Sequence, residues 1–367
     1  MKNMKWAVLC TAAAGSVHAA GNPSNTYVQV YGVVDVAFSS YYGQGNGTRN
    51  SLTSGGNQVS RIGFRGREDL GDGMYAGFDL EAGLNIDSGQ GQPTNTNNLP
   101  SGSARGAMAF NRKSYVYVGG RYGTLRLGRD YTPAFWNLFA YDPFRVGVGI
   151  GSLSTHGTGA TSFRASNSVG YFSPGCATFS CKGLFLQAMQ AFGDKEKFDA
   201  GHDGNLQGIR VGYGGKGWDI AASIAVTKTA NVGNYTQSNI GASYQWGEHR
   251  LMVLAGENRT GERLASMGDA DRVRYGQIGA WIALGADYIP VSFTYLKRND
   301  TADSSARKFA VGYVHALSKR TVVYGTYAFI SNGGMLRLPV SSGSELGPIP
   351  QAGGRASGID LGIRHVF

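Results

Sequence analysis

Apolar and polar side chains alternate one by one along much of this chain. In VQVYGVVDVAF, Val28, Val30, Val34, Val36 and Phe38 fall on one face, and Gln29, Tyr31, Asp35 and Ser39 on the other. In WDIAASIAV, Trp218, Ile220, Ala222, Ile224 and Val226 oppose Asp219, Ser223 and Thr227. NIGASYQW and GIDLGIRHVF repeat the pattern with Ile240, Ala242, Tyr244 and Trp246, and with Ile359, Leu361, Ile363 and Phe367. A period of two sustained over eight to eleven residues predicts strands long enough to cross a bilayer at a tilt.

Such segments occur near 27–40, 58–68, 74–84, 107–118, 124–130, 165–173, 183–192, 206–213, 217–227, 238–246, 249–257, 273–284, 287–298, 306–316, 321–330 and 357–367, sixteen in all. Long connections (41–57, 85–106, 131–164, 258–272, 331–356) alternate with short ones (69–73, 119–123, 214–216, 247–248, 285–286, 317–320). Short turns at one end and long loops at the other are the plan of an outer-membrane barrel. A soluble β-sandwich would also alternate, but its solvent faces would be rich in Lys and Glu. Here those faces carry Gly, Ser, Gln, Asp and Arg, and the apolar faces end in Tyr or Trp, as an interfacial belt requires. Beyond the N-terminal leader no run of 18 apolar residues provides a spanning helix. Backbone groups in lipid then find partners only in a closed barrel. The expectation is an all-β chain forming a transmembrane antiparallel β-barrel of 16 strands. Pro290, inside a predicted strand, lacks a ladder donor and calls for an edge or a bulge.

Composition agrees with many short-turned strands: 57 glycines, about twice ordinary usage, and 16 % charged residues against roughly 25 % in soluble domains. Residues 1–19 read as a secretory signal peptide, with Lys2 and Lys5, an apolar run from Trp6 to Ala14, and Val17 and Ala19 at the cleavage positions. Its removal lowers the net charge from +10 to +8 and leaves residues 20–367 as one barrel domain. The remaining cations form no run, so nucleic acid is not an expected partner. Cys176 and Cys181 enclose ATFS, a spacing a tight hairpin can bridge, and a disulfide is expected in an exported chain.

Alternation also orients charge. In SRIGFRGRED, Ile62 and Phe64 on the lipid side send Arg61 and Arg65 into the lumen, since a cation at the bilayer midplane on the lipid face costs about 2–4 kcal/mol. Leu125 and Leu127 likewise place Arg126 inside, and Val169 and Tyr171 place Ser168 and, on a longer strand, Arg164 inside. Arg112 and Lys113 are neighbours; with Tyr115 and Tyr117 as belt residues, Lys113 points outward and Arg112 inward.

VQVYGVVDV, SRIGFRGREDLGDGMYAGFDLE, FNRKSYVYVG, YGTLRLGRDYTP, SNSVGYFSP and the terminal GIRHVF together resemble the general diffusion porins of Gram-negative outer membranes, the sixteen-stranded trimeric type. The terminal Phe367 resembles the signal read by the barrel-assembly machinery in that family. The resemblance implies a homotrimer with a water-filled pore in each subunit, narrowed by an inward-folded third loop, here 131–164, and it selects Arg61, Arg112 and Arg164 as the constriction arginines. That loop departs from the acidic stretch of related porins: Asp142 is its only carboxylate, beside Arg145. Against the wall arginines the nearby acids are Asp35, Asp79, Glu81 and Asp142, similar in number, so position decides the sign. A positive constriction and a passive channel for small anionic or neutral solutes are expected, in contact with outer-membrane lipid and lipopolysaccharide. No cofactor or metal is implied. His156, His202, His249, His315 and His365 show no metal spacing, and His315, on the face of Phe309, Val311 and Tyr313, reads as a belt histidine rather than a catalytic one. A surface adhesin acting through its loops is the alternative from another functional class.

Overall fold

The computed structural model describes residues 26–99, 103–104, 108–146, 149–153, 161–175, 182–193, 202–229, 233–261, 272–341 and 346–367. The leader and both Cys176 and Cys181 lie outside them, and so does the expected disulfide. The wall begins with β1 (Tyr27–Gly43), β2 in two pieces (Gly47–Ser54 and Arg61–Gly71), β3 (Met74–Asn85), β4 (Lys113–Gly120) and β5 (Gly123–Tyr131). After a helix, α1 (Pro133–Tyr141), follow β6 (Arg164–Phe172), β7 (Gly183–Ala191), β8 (Leu206–Gly214), β9 (Trp218–Thr227), β10 (Tyr235–Trp246) and β11 (His249–Arg259). The last strands are β12 (Arg272–Leu284), β13 (Asp287–Arg298), β14 (Ser305–Ala316), β15 (Thr321–Gly333) and β16 (Arg355–Val366). Each pairs antiparallel with its chain neighbours, and β1 pairs with β16, so sixteen wall strands close a barrel with no free edge.

Phe367 extends the β1–β16 seam by one more pair. Phe367 exchanges backbone hydrogen bonds with Gly32 of β1 at 3.0 and 3.1 Å, and its ring occupies the space a side chain at Gly32 would need. The same device recurs inside: Gly63 lies under Tyr31 and Gly362 under Tyr324. Much of the glycine excess is therefore clearance for cross-strand rings.

The structure departs from expectation most at β1, at residues 55–60, at the start of β4 and at Pro290. β1 continues to Gly43 and forms a hairpin with Gly47–Ser54, where a long loop was expected. Residues 55–60 then leave the wall between the two halves of β2. Asp35 accepts the N–H groups of Asn57 and Gln58 at 3.1 and 2.6 Å and the Tyr324 hydroxyl at 2.5 Å, pinning this insert to the inner wall. β4 starts at Lys113 rather than 107, after a bend at Arg112. At Pro290 the β13–β14 ladder skips from Tyr288 to Val291 without changing register, so the missing donor interrupts the ladder instead of making a bulge.

The third loop folds into the lumen. Thr132 caps α1 by accepting the Phe135 N–H at 3.3 Å, with Pro133 in the first turn where its missing donor costs nothing. The helix lies on the inner faces of β8 to β10: Asn137 donates to Ala221 O at 2.8 Å, Asn239 donates to Ala134 O at 3.1 Å, and Tyr141 fills the space beside Gly241. Farther along, Ile150 N–H reaches Asp360 at 3.4 Å, and Lys308 Nζ donates to Ser152 O at 2.8 Å. Gly149 meets the backbone of Gly56, so loop and insert touch through two glycines. Thr132 N–H to Phe163 O at 3.1 Å closes the neck.

Candidate channel constriction

The inner wall of β2 to β6 carries a dense cation cluster. Register sets Arg61 opposite Val33 and Arg65 opposite Gln29, so both share the inward parity of β1, and Ile62 and Phe64 take the outward one. On β3, Asp79 and Glu81 face the same side. Glu81 is the hub. Arg112 Nε donates to its Oε1 at 2.6 Å, Arg61 Nε lies 3.4 Å from its Oε2, and Lys113 Nζ lies 3.8 Å away. Lys113 also donates to Asp79 at 3.0 Å, and the Tyr31 hydroxyl donates to Asp79 at 2.6 Å and to Glu81 at 3.1 Å.

The outward placement of Lys113 and of Tyr115 and Tyr117 is thereby corrected. Lys113 pairs with Glu81 and Tyr115 with Asp79 in the β3–β4 ladder, and Val116 and Val118 are the exposed outer residues. Arg112 escapes the alternation because it sits on the bend before β4, so two successive cations both turn inward.

Tyr131, where β5 gives way to the third loop, joins the wall to that loop. Its hydroxyl accepts from Arg112 at 2.7 Å and from Arg164 at 3.1 Å, and the Arg164 guanidinium lies 4.6 Å over its ring. The ring itself stacks on Phe135 of α1 at 4.6 Å. Arg126 forms an ion pair with Asp130 at 2.8 Å and lies 3.8 Å over Phe172. Nearer the turns, Arg65 donates twice to Gln29, at 3.0 and 2.8 Å. Arg61, Arg65, Arg67, Arg112, Lys113, Arg126 and Arg164 thus stand against Asp69, Asp79, Glu81 and Asp130, seven cations to four carboxylates. Arginine keeps its proton in proteins, so the excess is permanently positive. In a narrow lumen with low-dielectric walls it is screened less than in bulk water.

The third loop does not neutralise it. Asp142 is 1 % exposed and accepts the N–H groups of Phe144 at 3.1 Å, Val146 at 2.7 Å and Leu153 at 3.2 Å. Burial pushes its carboxyl up from the ordinary range, opposed by those backbone donors. The loop's sole carboxylate therefore holds its own turn, in which Arg145 and Val146 have φ of 56° and 41°. Arg145 lies away from the wall cluster, 4.4 Å over Trp281 of β12 and beside Phe144 and Arg364. Of the residues singled out from sequence, Arg61, Arg112 and Arg164 converge on Glu81 and Tyr131, Arg126 and Arg65 flank them, and Asp142 and Arg145 stand apart. Glu81 as hub, Tyr131 as bridge and Lys308 as anchor were not singled out. Lys308 was within reach, because it precedes outward Phe309 on a recognised strand.

The profile of the family described as Gram-negative porin matches residues 6–334. Outer membrane porin protein 32 of Delftia acidovorans is 31 % identical over 381 aligned positions, which cover 100 % of both chains. Among solved structures, the anion-selective porin from Comamonas acidovorans superposes with a TM-score of 0.77 at 28 % identity, over 93 % of this chain and 100 % of that one. The trimer form of OmpT from Vibrio cholerae superposes at 0.60 with 14 % identity, over 93 % and 99 %, a likeness of fold alone.

Proposed function

As a member of the Gram-negative porin family, this chain is an outer-membrane porin, and we propose that it passes small hydrophilic solutes by diffusion through one lumen per subunit, with anions favoured by the Arg61–Arg112–Arg164 wall. The observation that carries the anion preference is the unbalanced cluster: seven inward cations, four carboxylates, and an opposing loop whose only acid is held by its own backbone and by Gln277. Fixed positive charge at the narrowest part concentrates anions and repels cations, and no reaction step is needed. Arg112 and Arg164, tied to Tyr131, present donors to an oxyanion, whereas Arg65 and Arg67 extend the field toward the turn end.

Assembly as a homotrimer follows the family resemblance, and this fold also occurs as a trimer in Vibrio cholerae OmpT. The relatives are porins, not enzymes. His315 fits a structural role: it shares Asp287 with Tyr313, at 2.8 and 2.6 Å, on the outer face near the 317–320 turn. The test is the zero-current potential of the purified porin in a planar bilayer under a KCl gradient. Anion-selective sign is expected. Cation-selective sign contradicts the wall assignment, and absence of conductance favours a role carried by the loops.

A further inference from the structure

Apart from the wall cluster, the lumen holds a second cationic site, a cavity of about 70 Å³ bounded by the 55–60 insert, the third loop and the inner faces of β12, β13 and β16. None of the seven clustered cations lines it. Trp281, Tyr288, Pro290 and Arg364 all take the inward parity of their strands, so the cavity faces the lumen. Its two sides differ in chemistry. On one, the Trp281 and Tyr288 rings form a corner, their centroids 6.0 Å apart and their planes at 53°, with Phe144 and Pro290 beside them. The Trp281 indole is fixed there by its N–H, which donates to Pro143 O at 2.5 Å. On the other side, Arg364 donates through a terminal nitrogen to Asn57 Oδ1 at 2.6 Å, while its Nε is buried with no hydrogen-bond partner among the described residues. The Arg145 guanidinium, 4.4 Å over the Trp281 ring, brings a second positive charge to the aromatic corner.

A buried guanidinium N–H without an acceptor is costly, and no residue lining this cavity is a carboxylate. Asp35 stands opposite Arg364 in the β1–β16 ladder, but its oxygens accept the Tyr324 hydroxyl and the Asn57 and Gln58 N–H groups. A solute anion supplies the acceptor instead, and it must be small, since the space holds about five waters at roughly 10–15 Å³ each. An inorganic oxyanion would engage the two arginines and leave the aromatic corner unused. A carboxylate on a flat ring uses both sides: its oxygens accept from the arginines, and its ring lies against Trp281 and Tyr288.

We propose that this cavity is a binding subsite for small aromatic carboxylates, with Arg364 and Arg145 on the carboxylate and the Trp281–Tyr288 corner on the ring. It names a solute class for the diffusion path and rests on that reading. Purified full-length porin in detergent is titrated calorimetrically with benzoate, acetate and inorganic phosphate against a detergent blank, and the heat-modifiable gel band checks the folding of each variant. Wild type is expected to bind benzoate saturably and roughly tenfold more tightly than acetate or phosphate, because only benzoate buries a ring. Arg364→Gln is expected to weaken benzoate roughly tenfold. Trp281→Leu is expected to weaken benzoate roughly fivefold and to leave acetate unchanged, a split that a general disturbance of the fold would not give. Arg355→Gln, an outward cation on β16, is expected to change none of the three. Unchanged benzoate affinity in Arg364→Gln, or phosphate bound as tightly as benzoate by wild type, overturns the proposal. The zero-current potential under a KCl gradient is recorded on the same samples. A cation-selective sign in wild type refutes the anion preference and leaves benzoate binding standing, whereas absent benzoate binding beside an anion-selective sign refutes the subsite alone.

Discussion

Arg112 and Glu81 meet at 2.6 Å on the inner wall, the shortest of three ion pairs that converge on one buried carboxylate. Glu81 thus holds Arg112, Arg61 and Lys113 in a fixed array and subtracts one charge from it. Glu81→Gln removes the negative charge and keeps an acceptor for one guanidinium. The zero-current potential is expected to move further toward anions, with a loss of about 3–5 kcal/mol in unfolding stability because the partners are left underneutralised. An unchanged potential would place Glu81 outside the ion path.

Asp142 organises the turn after α1. Asp142→Ala leaves three backbone N–H groups without their acceptor, at about 1–3 kcal/mol each where no water replaces it. The barrel ladder is untouched, so the folded gel form persists. Single-channel recordings are expected to show greater current noise and altered conductance as residues 143–146 and 149–153 lose their fixed position.

The third loop and the 55–60 insert meet where Gly149 faces the Gly56 backbone with no room for a Cβ. Gly149→Val must separate the two. Single-channel conductance is expected to change while the ion preference keeps its sign, because the arginines stand on other strands. Wild-type conductance in this variant would mean that the contact does not set the loop's position.

Gly32 accommodates the Phe367 ring at the seam between β1 and β16. Gly32→Leu is expected to slow barrel closure during refolding into detergent or liposomes, measured as the yield of the heat-modifiable folded band. Phe367→Leu, which shrinks the ring, is expected partly to restore closure in the Gly32→Leu background.

The barrel was legible because period-two alternation is imposed by lipid on one side and water on the other, so Ile62 and Phe64 announced the inward turn of Arg61 and Arg65. The rule fails where the chain leaves strand geometry. Arg112 lies on a bend, so its neighbour Lys113 does not take the opposite face. Tyrosine is ambiguous in either direction: Tyr115 and Tyr117 line the lumen, whereas Tyr313 faces outward. Residues 55–57 carry no pattern, and 58–60, expected as the start of a strand that begins instead at Arg61, leave the wall with them; Asp35, 20 or more positions away, explains their course. The part played by Asp142 was equally hidden, since a carboxylate in a loop reads as a pore charge until its backbone partners are placed.

The central claim is that the wall cluster sets the sign of selectivity, and the zero-current potential of Arg61→Glu in a KCl gradient, measured beside wild type, tests it most directly. Arg61 is the wall arginine less tightly held by Glu81, at 3.4 Å against 2.6 Å for Arg112, so its reversal least disturbs the array. The account predicts a clear shift of the potential toward cations with the barrel still folded; an unchanged anion-selective potential would contradict it.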